Sequence, residues 1–362
     1  MSHRDEIKSG QCRSLIQRLE SVAFSDFRLI SPFIDDCEND ITHFECGRIN
    51  PNRNSLSQGE TLACLQTYID GLTKECKKGV LHLSELQADN VQLDRQLFIA
   101  CTTDAKRLCG DLRPGTGAVY KCLIRNQNEE NMSSDCQEQL RRRDKLISHD
   151  YKVSKGLARS CKEDIKVNHC RRGVSEDKEI RLAQILLCLE AAYKNNTKIS
   201  TDCLAEMNDH RKMLMEDFNM SPEILSGCAD DIDKFCENLE NGGKTIHCLM
   251  EHARPKKKRD RRVTSTCQRA LETLVKVTDV AEDWRVDPVL REACKPVVDV
   301  ACSDAKNGDA RVMSCLMEKL GTDYMKPDCE TALMQIQYFV ARDFKLDPQL
   351  YRFVFFQILL YL

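Results

Sequence analysis

Twenty of the chain's 21 cysteines fall into five successive groups of four, and the interval joining one group to the next hardly changes. The groups are Cys37, Cys46, Cys64 and Cys76; Cys101, Cys109, Cys122 and Cys136; Cys161, Cys170, Cys188 and Cys203; Cys228, Cys236, Cys248 and Cys267; and Cys294, Cys302, Cys315 and Cys329. From the last cysteine of a group to the first of the next is 25 residues at 76→101, 136→161 and 203→228, and 27 at 267→294. Cys12 lies 25 residues before Cys37 and so stands where a fourth cysteine belongs. Self-similarity at a fixed period marks a repeat array, here with about 65 residues per unit.

Units of that size bury too little apolar surface to stand alone and need crosslinks, neighbours or both. Cysteines grouped so regularly point to disulfides and an oxidising compartment, against the alternative of reduced, buried thiols in a cytosolic helical protein. With 54 basic and 57 acidic residues the net charge is −3, which gives the chain no bulk polyanion-binding character. The opening Met1-Ser2-His3-Arg4-Asp5-Glu6 lacks the apolar core of a secretory signal. The oxidising reading therefore carries the expectation that a targeting segment lies upstream and that residues 1–26 end a truncated repeat. At the other end, Leu346-Asp347-Pro348-Gln349-Leu350-Tyr351-Arg352 opens a further copy whose first cysteine is due at 354; Val354 stands there, inside an apolar run from Phe353 to Leu362. That run is 10 residues, about half of what a membrane-spanning helix needs. It is read as an alternative exon end or a gene-prediction artefact, with a functional hydrophobic C-terminus as the alternative; exposed, it would favour aggregation.

The unit reads as helices throughout. After each fourth cysteine, apolar residues recur at three- and four-residue steps, as in Cys136, Leu140, Ile147 and Tyr151 or Cys329, Leu333, Ile336, Val340 and Phe344. Each such helix ends in an acidic-aromatic turn: Asp26-Phe27, Asp150-Tyr151, Asp217-Phe218, Asp283-Trp284 and Asp343-Phe344. Seven residues before the first cysteine stand Asp94, Ser154, Ser221 and Asp287, with Pro222 and Pro288 next, which predicts an N-cap followed by a helix. The fold class is thus all-α, a solenoid-like array of tandem disulfide-crosslinked helical repeats. The expected repeats are 27–90, 91–150, 151–217, 218–283 and 284–343, with 344–362 as the aborted start of another. Within a unit the second-to-third and third-to-fourth intervals vary, so those segments are expected to be surface loops.

The first and second cysteines lie eight or nine residues apart on one helix, a rise of roughly 12 Å, whereas a disulfide needs its Cα atoms within about 7 Å. They cannot pair with each other, and two connectivities remain. The nested one, first with fourth and second with third, is favoured over the interlaced one. Zinc is disfavoured because structural sites use close pairs such as C-x₂-C, which are absent, and His169-Cys170 and His247-Cys248 recur in no consistent place. Gly115-x-Gly117 lacks the rest of a phosphate-binding fingerprint, and no Gly-x-Ser-x-Gly, His-Glu-x-x-His or kinase signature occurs. No catalytic residue, metal or cofactor is assigned, and the carboxylates are expected to be solvated helical faces.

Two surface features remain. The run Lys256, Lys257, Lys258, Arg259, Arg261 and Arg262 sits in the longest third-to-fourth segment and is either a solvated insertion or a contact for sulfated glycan or acidic protein; nucleic acid is not an expected partner. Arg141-Arg142-Arg143 is read as the wet face of a helix. Sequons at Asn131, Asn195 and Asn219 are candidate glycosylation sites; Asn219 is disfavoured by its place in the turn beside Ser221.

The acidic-aromatic turn, the capped helix bearing Cys228 and Cys236, the Cys-Leu pairs at Cys64-Leu65, Cys122-Leu123, Cys188-Leu189, Cys248-Leu249 and Cys315-Leu316, and the fourth cysteine together make a recognisable unit. It resembles the repeat of the Golgi apparatus protein 1 family, also called cysteine-rich fibroblast growth factor receptors or E-selectin ligand 1, from Cys12 to Arg352. The resemblance implies a type I membrane glycoprotein of the Golgi with a luminal array of such repeats. It also implies binding to secreted growth factors of the fibroblast growth factor class, with selectin-type receptors or sulfated glycans as further partners, and a part in growth-factor trafficking. This chain shows neither the signal peptide nor the transmembrane helix of that pattern, so membrane attachment is expected only through segments it does not contain. A structural Golgi component without a specific ligand is the alternative function, and a cytosolic metal-binding or redox protein a more distant one.

Overall fold

The computed structural model describes residues 9–47, 59–110, 112, 117–127, 131–172, 174, 179–195, 197–237, 239, 243–254, 262–305, 310–343 and 346–347. The readings made on the chain's first eight residues and on Val354 and its apolar run lie outside them. Every regular element among the described residues is helical, and the chain divides into two compact units, Met1–Ile185 and Leu186–Leu362. In the first unit are α1 (Gly10–Ser25), α2 (Ser31–His43), α3 (Glu60–Thr67), α4 (Lys74–Gln87), α5 (Arg95–Cys109), α6 (Ala118–Arg125), α7 (Ser134–His149), α8 (Lys155–Ser160) and α9 (Lys162–Val167). α10 (Leu182–Lys194) contains the boundary. The second holds α11 (Thr201–Glu216), α12 (Pro222–Phe235), α13 (Lys244–Ala253), α14 (Ser265–Thr278), α15 (Pro288–Ala301), α16 (Arg311–Glu318) and α17 (Pro327–Val340).

The same three helices recur. A fourth-cysteine helix (α4, α7, α11, α14, α17) runs to a short turn, the next helix carries the first cysteine (α5, α12, α15) or ends just before it (α8), and the third-cysteine helices α3, α6, α13 and α16 pack against α2, α5, α12 and α15, with α10 carrying the third cysteine of its group. The caps form where the sequence places them: the side chains of Asp94, Ser154, Ser221 and Asp287 accept the N–H of Leu97, Leu157, Ile224 and Leu290 at 3.1–3.4 Å. The acidic residue of the preceding turn closes a single 3₁₀ turn by accepting the N–H two residues on, 3.1 Å for Asp150 to Lys152 and 2.9 Å for Asp217 to Asn219. Asn90 makes the same turn with Gln92 at 3.0 Å, a copy hidden from the acidic-aromatic signature because an amide oxygen accepts as well as a carboxylate.

One expectation needs correction. The first and second cysteines share an unbroken helix only where they are eight residues apart. In the two nine-residue groups the helix stops short, with Glu45 and His169 in the left-handed region at φ 55° and 53°. There the Cys46 N–H donates to the Ile41 carbonyl (2.9 Å) and that of Cys170 to Ile165 (3.0 Å). This is a Schellman-type ending, and it absorbs the extra residue while leaving the second cysteine in place.

Each third-cysteine helix α3, α6, α13 and α16 also starts at a fixed point. Five residues before that cysteine, Gly59, Gly117, Gly243 and Ala310 adopt positive φ, and their N–H groups donate to the carbonyls of Ser25, Asp89, Glu216 and Glu282, just before the turn. At Gly243 an added Cβ would come within 3.0 Å of the Met215 carbonyl and 3.1 Å of Pro288, so glycine is required both for conformation and for space. The variable segment is thereby anchored at its far end. Around these pins the cores are ordinary: in the second group Leu97, Leu123, Leu140, Val119 and Tyr120 close over the Cys101 and Cys136 sulfurs.

Candidate functional site

Four groups are crosslinked in the nested arrangement: Cys37–Cys76 and Cys46–Cys64, Cys101–Cys136 and Cys109–Cys122, Cys228–Cys267 and Cys236–Cys248, Cys294–Cys329 and Cys302–Cys315. Cys161, Cys170, Cys188 and Cys203 are disulfide-bonded as well, and Cys12 is an exposed free thiol. The outer bond of each described group clamps the first-cysteine helix to the fourth-cysteine helix with Cα atoms 4.4–4.7 Å apart. The inner bond ties the end of the first to the third-cysteine helix at 5.6–6.0 Å.

Beside the outer bond lies a polar lock that sequence reasoning missed. Three residues after the first cysteine, Asp40, Asp104 and Asp231 are buried. Each accepts both the N–H and the hydroxyl of a residue three before the fourth cysteine: Thr73 (3.1 and 2.6 Å), Ser133 (3.2 and 2.7 Å) and Thr264 (2.9 and 2.7 Å). Ser133 and Thr264 in turn cap α7 and α14 by accepting the N–H of Cys136 and Cys267. The fixed offsets from the cysteines were the available signal.

The expectation that carboxylates and Arg141-Arg142-Arg143 form solvated faces is overturned for these buried carboxylates and for Arg142 and Arg143, while Arg141 is exposed as expected. Arg142 and Arg143 are buried, because a helix hemmed in by neighbours on two sides has little wet face left. Arg142 donates to the capping Asp94 (2.6 Å). Arg143 donates to the carbonyls of Ser84 and Val153 (both 2.9 Å) and lies 4.8 Å over the Tyr120 ring. Nearby, Asp70 accepts from His149 (2.9 Å) and Lys145 (2.6 Å), and these bonds hold its carboxyl well below the usual range against the opposing effect of burial.

In the second unit His247 joins three helices. Its Nε2 meets the Asp287 carboxylate at 2.7 Å and its Nδ1 the Gln335 carbonyl at 2.6 Å. The Gln335 amide donates to Glu251 at 3.0 Å, which turns its oxygen towards the ring. Both ring nitrogens thus face oxygen acceptors, an arrangement that favours the protonated ring. His247 thus has both ring nitrogens engaged within the fold. Burial alone would depress its pKa, but the bonds to Asp287 and Gln335 leave it above 6.5. A second buried cluster sets Glu190 against Arg211, and Lys194 between Glu190 and Asp279, at 3.1 Å from each. Burial, then the charge of Glu190, pushes the Asp279 carboxyl up to about 7. Burial likewise raises Asp150 in the first unit to about 6.

These shifts have one sign. A group whose folded pKa lies above its unfolded value stabilises fully below the unfolded value, and that contribution is lost as pH rises through the folded one. For Asp150 and Asp279 the loss runs upward from 3.8 to about 6 and about 7, and for His247 it begins at 6.5. The lowered carboxyls, Asp70 and Asp104 among them, lose their contribution only as pH falls below 3.8. The urea midpoint is therefore expected to fall as pH is raised from about 5 to about 8. In His247→Gln the fall above pH 6.5 should be smaller; an unchanged slope would show that His247 does not carry it.

Of the candidate surface sites, Asn131 and Asn195 are exposed. Asn219 is half-buried, with its side-chain amide donating to Asp217 at 2.8 Å. Lys256, Lys257, Lys258, Arg259 and Arg261 lie outside the described residues, and Arg262 is exposed. No cluster of three metal-ligating side chains and no helix long and apolar enough to cross a membrane occurs among the described residues.

A family model described as "Cysteine rich repeat", of the FGFR type, matches five times, at residues 10–73, 74–131, 134–197, 201–257 and 265–323. Each match but the first thus opens within three residues of a fourth cysteine, so Cys37–Cys76 and Cys101–Cys136 join one matched repeat to the next. The chain is similar to Golgi apparatus protein 1 of Mus musculus, with 43% identity over 97% of this chain and 31% of that protein. Golgi apparatus protein 1 of Gallus gallus gives 43% identity over 97% and 32%. The Golgi apparatus protein 1 homolog of Caenorhabditis elegans is 35% identical over 95% and 32%. The chain spans about a third of the length of these relatives. No solved structure matches.

Proposed function

This chain belongs to the cysteine-rich repeat family, and from that premise we propose that it is a non-enzymatic glycoprotein of the Golgi and secretory-pathway lumen that binds growth factors of the fibroblast growth factor class and affects their trafficking. The observation that carries the reading is 43% identity over 97% of the chain to proteins named for the Golgi apparatus. Disulfides at all 20 grouped cysteines support a lumen, since such bonds do not persist in a reducing cytosol. Membrane attachment, on this reading, belongs to other segments of a longer protein. The folding segments are the covalent groups, 27–90, 91–150, 151–217, 218–283 and 284–343, with 1–26 and 344–362 as parts of adjoining copies.

Asn131 and Asn195 carry glycan in this proposal, and Asn219, with its amide engaged, does not. Secreted from cells, Asn131→Gln and Asn195→Gln should each lose one glycosidase-sensitive step in mobility, while Asn219→Gln should migrate unchanged. A third step lost at Asn219 would show that the turn opens to the modifying enzyme.

Growth-factor binding is tested by retention of a fibroblast growth factor on the immobilised chain at about 0.15 M salt. Retention is expected, and replacing the six basic residues from Lys256 to Arg262 by glutamine should weaken it about tenfold and flatten its salt dependence if that run makes the contact. No retention of any growth factor would leave a structural luminal component without a specific ligand.

A further inference from the structure

The four described inner bonds, Cys46–Cys64, Cys109–Cys122, Cys236–Cys248 and Cys302–Cys315, share one geometry but not one chemistry. In each the second cysteine is buried at or just beyond the end of its helix, with Cys109 8%, Cys46 6% and Cys236 and Cys302 3% exposed. The third cysteine is half-buried in all four, so a reagent in solution meets the sulfur of Cys64, Cys122, Cys248 or Cys315 first. What surrounds that sulfur differs. Cys248 Sγ lies 3.4 Å from the Phe235 carbonyl oxygen and Cys315 Sγ 3.6 Å from that of Ala301. In the second group the Asn126 side-chain amide, which donates to the Cys122 carbonyl at 2.8 Å, also comes within 3.7 Å of Cys122 Sγ. An N–H draws electron density from sulfur and favours a thiolate there, whereas a carbonyl oxygen repels one. Four after the third cysteine the first and fourth groups carry Tyr68 and His252 instead, stacked on Phe44 and Phe235.

Charge separates the groups in the same direction. Lys106 and Arg107 stand in the last turn of α5, just before Cys109, and Lys121 and Arg125 stand one before and three after Cys122. At matching places the fourth group has Asp233 and Glu251, and the fifth has Asp299 and Glu318. The negative end of the first-cysteine helix is common to the groups and does not distinguish them. Access is open as well: Gly110, next to Cys109, is exposed, with nothing within 4 Å of an added Cβ.

We propose that Cys109–Cys122 is an exchange-competent disulfide, a site at which a dithiol reduces the bond while the other described bonds stay closed. One thiolate of the dithiol attacks the half-buried Cys122 Sγ, the S–S bond breaks, and the Cys109 thiolate leaves with the electron pair at the helix end that carries Lys106 and Arg107. The second thiolate then attacks the dithiol's own sulfur in the mixed disulfide and expels the Cys122 thiolate, which the Asn126 amide receives. The dithiol is oxidised to a disulfide by two electrons, and its two protons pass to the two cysteines. Reduction frees α6 from the end of α5, while Cys101–Cys136 keeps α5 clamped to α7.

The test is staged reduction of the full chain by dithiothreitol at neutral pH, with free thiols blocked at intervals by N-ethylmaleimide and mapped by mass spectrometry. Cys109 and Cys122 should be blocked about tenfold faster than the cysteines of the other three inner bonds, with Cys101 and Cys136 still joined. Lys106→Glu with Asn126→Ala should remove that advantage and leave the other three rates unchanged. The unaltered chain gives a check free of any folding defect: about 1 M salt should shrink the advantage, because screening acts on charge and not on access. Equal rates at the four bonds, an advantage that survives both the double variant and the salt, or earlier opening of Cys101–Cys136 would overturn the proposal.

Discussion

Replacing Cys101 and Cys136 together by alanine is expected to remove about 4 kcal/mol of stability from the 1–185 unit, because the lost crosslink closes 35 residues. Replacing Cys109 and Cys122, which close 13, should remove about 3 kcal/mol. The order matters more than the absolute values. The outer bond joins α5 to α7, which pack against each other, and both its sulfurs are buried. A net stability of about 5–15 kcal/mol is typical of a domain, so either loss is a large share of it. Urea midpoints of the two double variants, compared at equal m, provide the test. A larger loss from the inner pair would mean that the anchored loop, and not the helix clamp, dominates.

The second large effect is expected at Asp287. Its Oδ1 accepts the N–H groups of Val289 and Leu290 at 3.0 and 3.1 Å, and its Oδ2 faces the His247 ring. Asp287→Ala removes a cap and leaves the buried His247 ring with one partner. Breaking a buried pair in this way costs about 3–5 kcal/mol. Replacing His247 and Asp287 together by leucine should recover much of the loss, since an apolar pair of similar volume avoids the desolvation of both charges. A double-mutant cycle reads the coupling directly; additive losses would show that the two side chains do not act as a pair.

The helical class, the repeat and the caps at Asp94, Ser154, Ser221 and Asp287 were legible because each rests on local chemistry at a fixed distance from a cysteine. The nested pairing was legible in part, since two cysteines separated along a helix cannot meet. The left-handed endings at Glu45 and His169 were present in the sequence only as a nine-residue spacing, and neither side chain announces positive φ. Asp40, Asp104 and Asp231 were hidden for another reason: a carboxylate at helical spacing looks the same whether its neighbour is water or a threonine. Arg142 and Arg143 escaped because burial on a second helical face is decided by partners distant in sequence, Asp94 and Ser84. His247 was noticed only for its place beside a cysteine. Its role depends on Asp287 and Gln335, which lie 40 and 88 residues away.

The nested bonds also decide how the chain would behave under tension. Force entering a described group at its first cysteine passes through the outer disulfide to the fourth, so the residues between them carry none of it. Between the first and second groups only the 25 residues from Cys76 to Cys101 could be drawn out, on the order of 85 Å of extended chain. The loop closed by Cys37 and Cys76, a sequence separation of 39, would contribute no length until that bond was reduced. Such a chain would lengthen in short steps set by its linkers, and a reductant would multiply its reach without cutting a single peptide bond.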